Sequence, residues 1–186
     1  MTDGFDRLVA YHCAPTLMGH KAGSLFALKQ KHFSGHQERV QAVLDMLERK
    51  GLSGQVIHCP GETTLIYLYR GELLKRHLDH PLSRSLLLDH GYCGDDAREL
   101  VAQLIRRLKE NSAFPHEIGL FLGYPPEDVE GFVKHKGLHC KHCGCWKVYG
   151  DVGRAKALFG QYAHCRRACV SCMNRGMTLD QMVAAG

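Results

Sequence analysis

Gln55-Val56-Ile57-His58-Cys59-Pro60-Gly61-Glu62-Thr63-Thr64-Leu65-Ile66-Tyr67-Leu68-Tyr69 decides the fold class. Residues 55–59 and 63–69 are rich in Val, Ile, Thr and Tyr, which fit a pleated and largely buried surface. Between them, Pro60-Gly61-Glu62 supplies turn chemistry, so the stretch reads as a β-hairpin. The chain therefore holds a sheet, and the question becomes what covers it.

Helices flank the hairpin on both sides. Upstream, Val40, Val43, Leu44 and Leu47 recur on one face of a helix from about Gly35 to Lys50, which Gly51 stops. Downstream, helical stretches are expected near 71–79, 83–90 and 96–110. The last carries an apolar stripe of Ala97, Leu100, Val101, Leu104, Ile105 and Leu108, with Asp96 as cap and Glu99 three residues on. Further out, Pro15 suits the first turn of a helix running to about Gln30. Ile118–Leu122 reads as a short buried strand, ended by Gly123-Tyr124-Pro125-Pro126. Pro126 opens a helix to about Lys136, closed by Gly137. Trp146–Tyr149 is strand-like and Val152–Cys169 helical. The class is α/β of the α+β type, a small mixed sheet covered by several helices. Residues 1–137 are expected to form the α/β core. Residues 138–186 form a Cys/His-rich basic segment packed on the same domain.

With 186 residues the chain is long enough to bury a core without staples, at roughly 70% of the surface of its unfolded state. Its 45% hydrophobic and 23% charged content exclude a disordered class. The opening Met1-Thr2-Asp3-Gly4-Phe5-Asp6-Arg7 lacks the basic and apolar regions of a secretory signal, and no run is long enough to cross a bilayer. A cytoplasmic, reducing location without membrane partners is the expectation. The nine cysteines then read as metal ligands, reactive thiols or small core residues rather than disulfides. Net charge is +5, but residues 134–186 hold nine Lys/Arg against Asp151 and Asp180, a balance of +7 that leaves −2 elsewhere. Such a segment could attract nucleic acid or an acidic protein partner, offset a metal–thiolate site, or simply be a solvated face.

Cys140-Lys141-His142-Cys143-Gly144 and Cys169-Val170-Ser171-Cys172 are two Cys-x-x-Cys pairs. Cys140, Cys143, Cys169 and Cys172 could complete a tetrahedral zinc site, with Cys145, Cys165, His139, His142 and His164 as spare ligands. An iron–sulfur cluster is the alternative metal reading. A third reading needs no metal. Ala155, Leu158, Tyr162, Cys165, Cys169 and Cys172 follow helical spacing, and cysteine is a common small core residue. The Cys-x3-Cys-x2-Cys run at 165–172 lies too near the end of a short chain for a radical S-adenosylmethionine barrel. No Cys-x-x-Cys-His is present for covalent haem attachment.

A second candidate site joins Cys13, His116 and Glu117. Cys13 precedes Ala14-Pro15, where helix amides would favour a thiolate. His116 could act as base with Glu117 orienting its ring, which would suit acyl transfer or hydrolysis. The plainer reading buries Cys13 and gives His116 and Glu117 capping roles. Gly19-His20-Lys21-Ala22-Gly23-Ser24 does not match a phosphate-binding loop, although anion binding there stays open beside helix packing.

Several stretches also carry a resemblance. His12-Cys13-Ala14-Pro15-Thr16-Leu17, Lys21 and Gly23-Ser24-Leu25-Phe26 look like the opening of a bacterial family, domain of unknown function 3793. Phe114–Pro125, with its Pro-His-Glu and Leu-Gly-Tyr-Pro motifs, Glu127-Asp128-Val129-Glu130-Gly131-Phe132 and Trp146-Lys147-Val148-Tyr149 continue it over nearly the whole chain. The family pattern places an aromatic residue at the position of Cys145 and does not include the paired cysteines. The resemblance thus implies that the cysteine cluster is an elaboration, and that a shared chemistry would centre on Cys13 and His116-Glu117. Three expectations stand: a metal-binding accessory protein, a thiol enzyme, or a nucleic-acid or protein adaptor.

Overall fold

The computed structural model describes residues 4–29, 37–60, 62–110 and 114–183. Helices α1 (Gly4–His12) and α2 (Ala14–Leu17) lead into strand β1 (Gly23–Lys29). Helix α3 (Gln37–Arg49) and strands β2 (Leu52–His58) and β3 (Thr63–Arg70) follow. Then come α4 (Gly71–Leu78), α5 (Pro81–Asp89), α6 (Ala97–Glu110), α7 (Ile118–Phe121) and α8 (Pro126–Lys134). A ribbon of β4 (His142–Cys143) and β5 (Lys147–Val148) precedes the 23-residue α9 (Val152–Asn174) and the short α10 (Leu179–Met182).

The hairpin forms as its residue types demand. β2 pairs antiparallel with β3 from Leu52↔Arg70 to His58↔Thr64, and β1 takes the other edge of β3 from Gly23↔Tyr69 to Lys29↔Thr63. Strand order is β1-β3-β2. The central strand has no alternation of polar and apolar residues because both of its faces are covered. Ile66 and Leu68 enter a core built with Val9, Leu17, Val43 and Leu47 of α1–α3 and Cys165, Cys169 and Met173 of α9. Leu65, Tyr67 and Tyr69 enter a second core with residues of α4–α8, among them Leu74, Leu104 and Phe121. Phe26 and Leu28 of β1 join the first core, and Ile57 of β2 the second. The sheet therefore lies between two helical layers, and each fully buried Leu or Ile in them contributes about 1.5–3 kcal/mol. A third, smaller cluster of Trp146, Val148, Ala155 and Tyr162 fastens the ribbon to the first half of α9.

The α+β class stands, with three differences in detail. The small sheet is antiparallel in both pairings where a mixed one was expected. The helix from Pro15 ends at Leu17, and residues 23–29 are a strand. Arg70 draws the chain out of the helix by donating from Nε to the Thr16 carbonyl and from Nη2 to that of Leu17, both at 2.8 Å. Ile118–Phe121 is one turn of helix instead of a strand, since a four-residue apolar run fits either shape. Its Phe121 carbonyl accepts the Tyr67 hydroxyl at 2.7 Å, tying the turn to the sheet face. Gln30, Gly35 and the hairpin's Gly61, all named in the sequence reading, lie outside the described residues.

Candidate functional site

Four short segments between residues 114 and 147 wall a cleft of about 360 Å³. Phe114, Pro115, His116 and Ile118 come from the approach to α7, Tyr124 from the turn after it, Asp128, Val129 and Phe132 from α8, and Cys143–Lys147 from the ribbon. The His116 ring meets Phe132 edge-on with centroids 5.2 Å apart. Tyr124 stacks on Trp146 at 4.6 Å, and Trp146 meets Phe159 of α9 edge-on at 4.4 Å. Half-exposed Phe114 stands at the rim.

Asp128 holds the walls in place. It sits in the first turn of α8, where the helix field favours a carboxylate, and it is buried. Its Oδ2 accepts the Trp146 Nε1–H, and its Oδ1 accepts the backbone N–H groups of Tyr149 and Gly150, each at 2.7 Å. One buried carboxylate thus pins the far side of the cleft through three charge-assisted bonds. The ribbon turns tightly at Gly144, whose N–H donates to the Trp146 carbonyl at 3.0 Å. A Cβ on Gly144 would overlap the Phe159 ring, so only glycine lets α9 approach this turn.

His116 faces the cleft, but its expected partners are elsewhere. Glu117 is buried, accepts the Tyr92 hydroxyl at 3.0 Å, and lies 3.8 Å from Arg107. Its carboxylate therefore anchors the segment to α6 and makes no hydrogen bond to the His116 ring. Cys13 is wholly buried in the first core, on the opposite face of the sheet from Glu117's neighbours. Burial pushes its thiol up to about 12, against a smaller opposing effect of the Lys21 charge. A thiol so placed is inert near neutrality.

The two Cys-x-x-Cys pairs are likewise apart. Cys140 and Cys143 flank the start of the ribbon, and Cys143 and Cys145 are exposed at the cleft. Cys165 and Cys169 are buried in the first core, where the helical-spacing reading puts them. Burial, then the neighbouring Cys165 and Cys172, push the Cys169 thiol up to about 11. Half-buried Cys172 accepts from Arg175 at 3.4 Å. Among the described residues, no three His, Cys, Asp or Glu side chains stand together in a way that could hold a metal ion.

Several basic residues of the last third are engaged one by one. Lys141 donates to the Gly150 carbonyl, Lys147 to that of Gly137, Arg154 pairs with Glu127, and Arg166 covers the Tyr11 ring. No helix among the described residues is long and apolar enough to cross a membrane.

Sequence reasoning left Lys21 in a glycine-bearing loop with anion binding open, and did not foresee its surroundings. The Lys21 ammonium lies over the Tyr124 and Tyr162 rings, 5.1 and 5.7 Å from their centroids. Burial lowers its pKa to about 8, with the Cys13 and Cys145 thiols acting the other way. Both tyrosines are pushed up to about 12, mainly by burial. Besides the glycine-bearing loop around Lys21, the available sign was that Lys21, Tyr124, Asp128 and Trp146 all stand inside the stretches that carry the family resemblance.

Comparison with known proteins agrees with that resemblance. No curated protein and no solved structure matches the chain. A family model described as "Protein of unknown function (DUF3793)" matches residues 9–183, so it takes in every wall of the cleft, and the chain belongs to that family.

Proposed function

We propose that this chain is a binding protein whose cleft holds a small, mainly apolar molecule ending in a polar or anionic group. The observation that carries this reading is the cleft itself. Its volume of about 360 Å³ lies within the range of small-molecule sites, and its walls are aromatic and aliphatic with a few placed polar groups. Phe132, Tyr124 and Trp146 offer flat apolar faces, while His116 and Lys147 stand where an anionic end would sit. Binding is favoured over catalysis because His116 lacks the thiol and the orienting carboxylate that thiol chemistry requires.

The test uses 8-anilinonaphthalene-1-sulfonate, an apolar aromatic dye with one anionic group, and the fluorescence of Trp146, the single tryptophan. Saturable one-to-one binding is expected, with quenching of Trp146. Phe114→Ala and His116→Ala, both at the rim, should each weaken it by about tenfold, equal to about 1.4 kcal/mol. Binding that does not saturate, or that both variants leave untouched, overturns the reading.

A further inference from the structure

A second pocket, of about 210 Å³, opens beside Tyr124. Three separate elements bring nitrogen-bearing side chains to it: His20 and Lys21 from the loop after α2, His77 from α4, and Arg154 from α9. Gly19, Gly123 and apolar groups including Leu73, Leu158 and Tyr162 also line it, and no carboxylate does. The loop is held firmly. Arg70 grips the carbonyls of Thr16 and Leu17, the Arg70 N–H reaches the Ala22 carbonyl at 2.9 Å, and His20 Nδ1 meets Gln161 Nε2 at 3.0 Å.

Two groups in this pocket lack the partners their chemistry calls for. Lys21 makes no ion pair or hydrogen bond among the described residues; it lies over two aromatic faces, near the Cys13 and Cys145 thiols and the like charge of Arg166. His77 Nε2 is buried with no hydrogen-bond partner among the described residues. Burial lowers the His77 pKa, with backbone hydrogen bonding at Tyr124 opposing it, so the ring is neutral near pH 7. A desolvated ammonium without a counter-ion and a buried ring nitrogen without a partner each destabilise the chain until something satisfies them. Among the described residues the Arg154 side chain is held only by the exposed Glu127 pair at 3.5 Å, a contact of small worth.

We infer that the pocket lined by His20, Lys21, His77 and Arg154 binds a phosphate group, free or as a small phosphomonoester. Lys21 and Arg154 supply charge-assisted bonds from two sides, which suits a tetrahedral oxyanion with several oxygens. Monohydrogen phosphate also carries a P–OH proton that the neutral His77 Nε2 accepts. Sulfate has no such proton, and a cation meets only like charge. This site is separate from the aromatic cleft, and its ligand is independent of the one proposed there.

Titration of the whole chain with inorganic phosphate, glycerol 3-phosphate and sulfate, followed calorimetrically and through the Gly19, Lys21 and Gly123 amide resonances, tests this. At least one phosphate ligand should bind with a Kd of about 1 mM or tighter, and sulfate about tenfold more weakly. Tighter binding of glycerol 3-phosphate would identify a phosphomonoester site, and tighter inorganic phosphate a free-anion site. Lys21→Met and Arg154→Ala should each lose about tenfold, while Lys156→Ala, exposed on the same helix, stays at the wild-type value. Should Lys21→Met misfold, Arg154→Ala and the wild-type amide shifts still decide. Neither phosphate ligand binding near 10 mM (roughly the weakest useful range), sulfate binding equally well, or an equal loss in Lys156→Ala overturns the inference.

Discussion

Partly buried Lys21 and wholly buried Cys13 are groups whose ionisation desolvation opposes, and they push stability in opposite directions with pH. The folded Lys21 releases its proton near pH 8, whereas an unfolded lysine holds it to about 10.5. Between these values the unfolded chain binds more protons, so Lys21 makes stability rise with pH from about 8. Cys13 does the reverse. Its unfolded thiol ionises near 9 and its folded thiol near 12, so above 9 it lowers stability. The window from about pH 8 to 9 therefore isolates Lys21 from Cys13. Lys21→Met, which keeps the methylene packing, should be more stable than the parent at pH 7 by about 1–2 kcal/mol and should lack the rise across that window. Thermal melts at half-unit pH steps check this, and a less stable variant at pH 7 would show that the ammonium is already compensated. Cys13 makes a second prediction at this scale. Iodoacetamide at pH 7.5 should label exposed Cys93, Cys143 and Cys145 well before Cys13, which reacts only on unfolding. Peptide mass spectrometry measures the order, and early labelling of Cys13 would revive the thiol-enzyme expectation.

At the scale of elements, the ribbon depends on α8 through one carboxylate. Asp128→Asn keeps the shape but sets an amide NH₂ against donors, and should cost about 2–4 kcal/mol. The ribbon then loosens, so Trp146 emission should shift to longer wavelength while far-ultraviolet circular dichroism barely changes. An unshifted spectrum would mean that the aromatic stack alone holds Trp146. The elements that could be read in advance were those with a long periodic pattern or a distinctive residue composition. The α6 stripe from Ala97 to Leu108 repeats a helical period over three turns, and the hairpin at 55–69 shows itself by β-branched and aromatic residues on either side of a turn, not by alternation. β1 could not be read this way, because Leu25, Ala27 and Lys29 are good helix formers and the strand exists through pairing with residues 63–69, some 40 positions on. The site was legible only in pieces. His116 was visible as chemistry, but Asp128 looked like an ordinary first-turn acid, since its Trp146 and Tyr149 partners are distant in sequence. The cysteines of α9 posed the opposite problem: the 165–169 spacing fits both a ligand pair and a core face, and only the surrounding helices decide between them.

For the molecule as a whole, burial of Cys165 and Cys169 among α1–α3 makes the first core self-sufficient. A strong chelator should therefore leave the melting temperature and helix content unchanged. If metal analysis instead found one zinc per chain and chelation melted α9, the four-thiolate reading would return. The sheet has a further consequence. Ile66 and Tyr67 are joined by a peptide bond, yet they belong to different compartments, with β3 standing between them like a party wall. Neighbours in a chain usually share contacts, and their substitutions are expected to interact. Here Ile66→Val and Tyr67→Phe should add to within about 0.5 kcal/mol, whereas Ile66→Val with Val43→Ala, distant in sequence but lodged in the same compartment, should not. Denaturant melts of these two pairs would map the rooms of the molecule by energy instead of distance: adjacency along the chain would count for little, and the side of the wall for nearly everything.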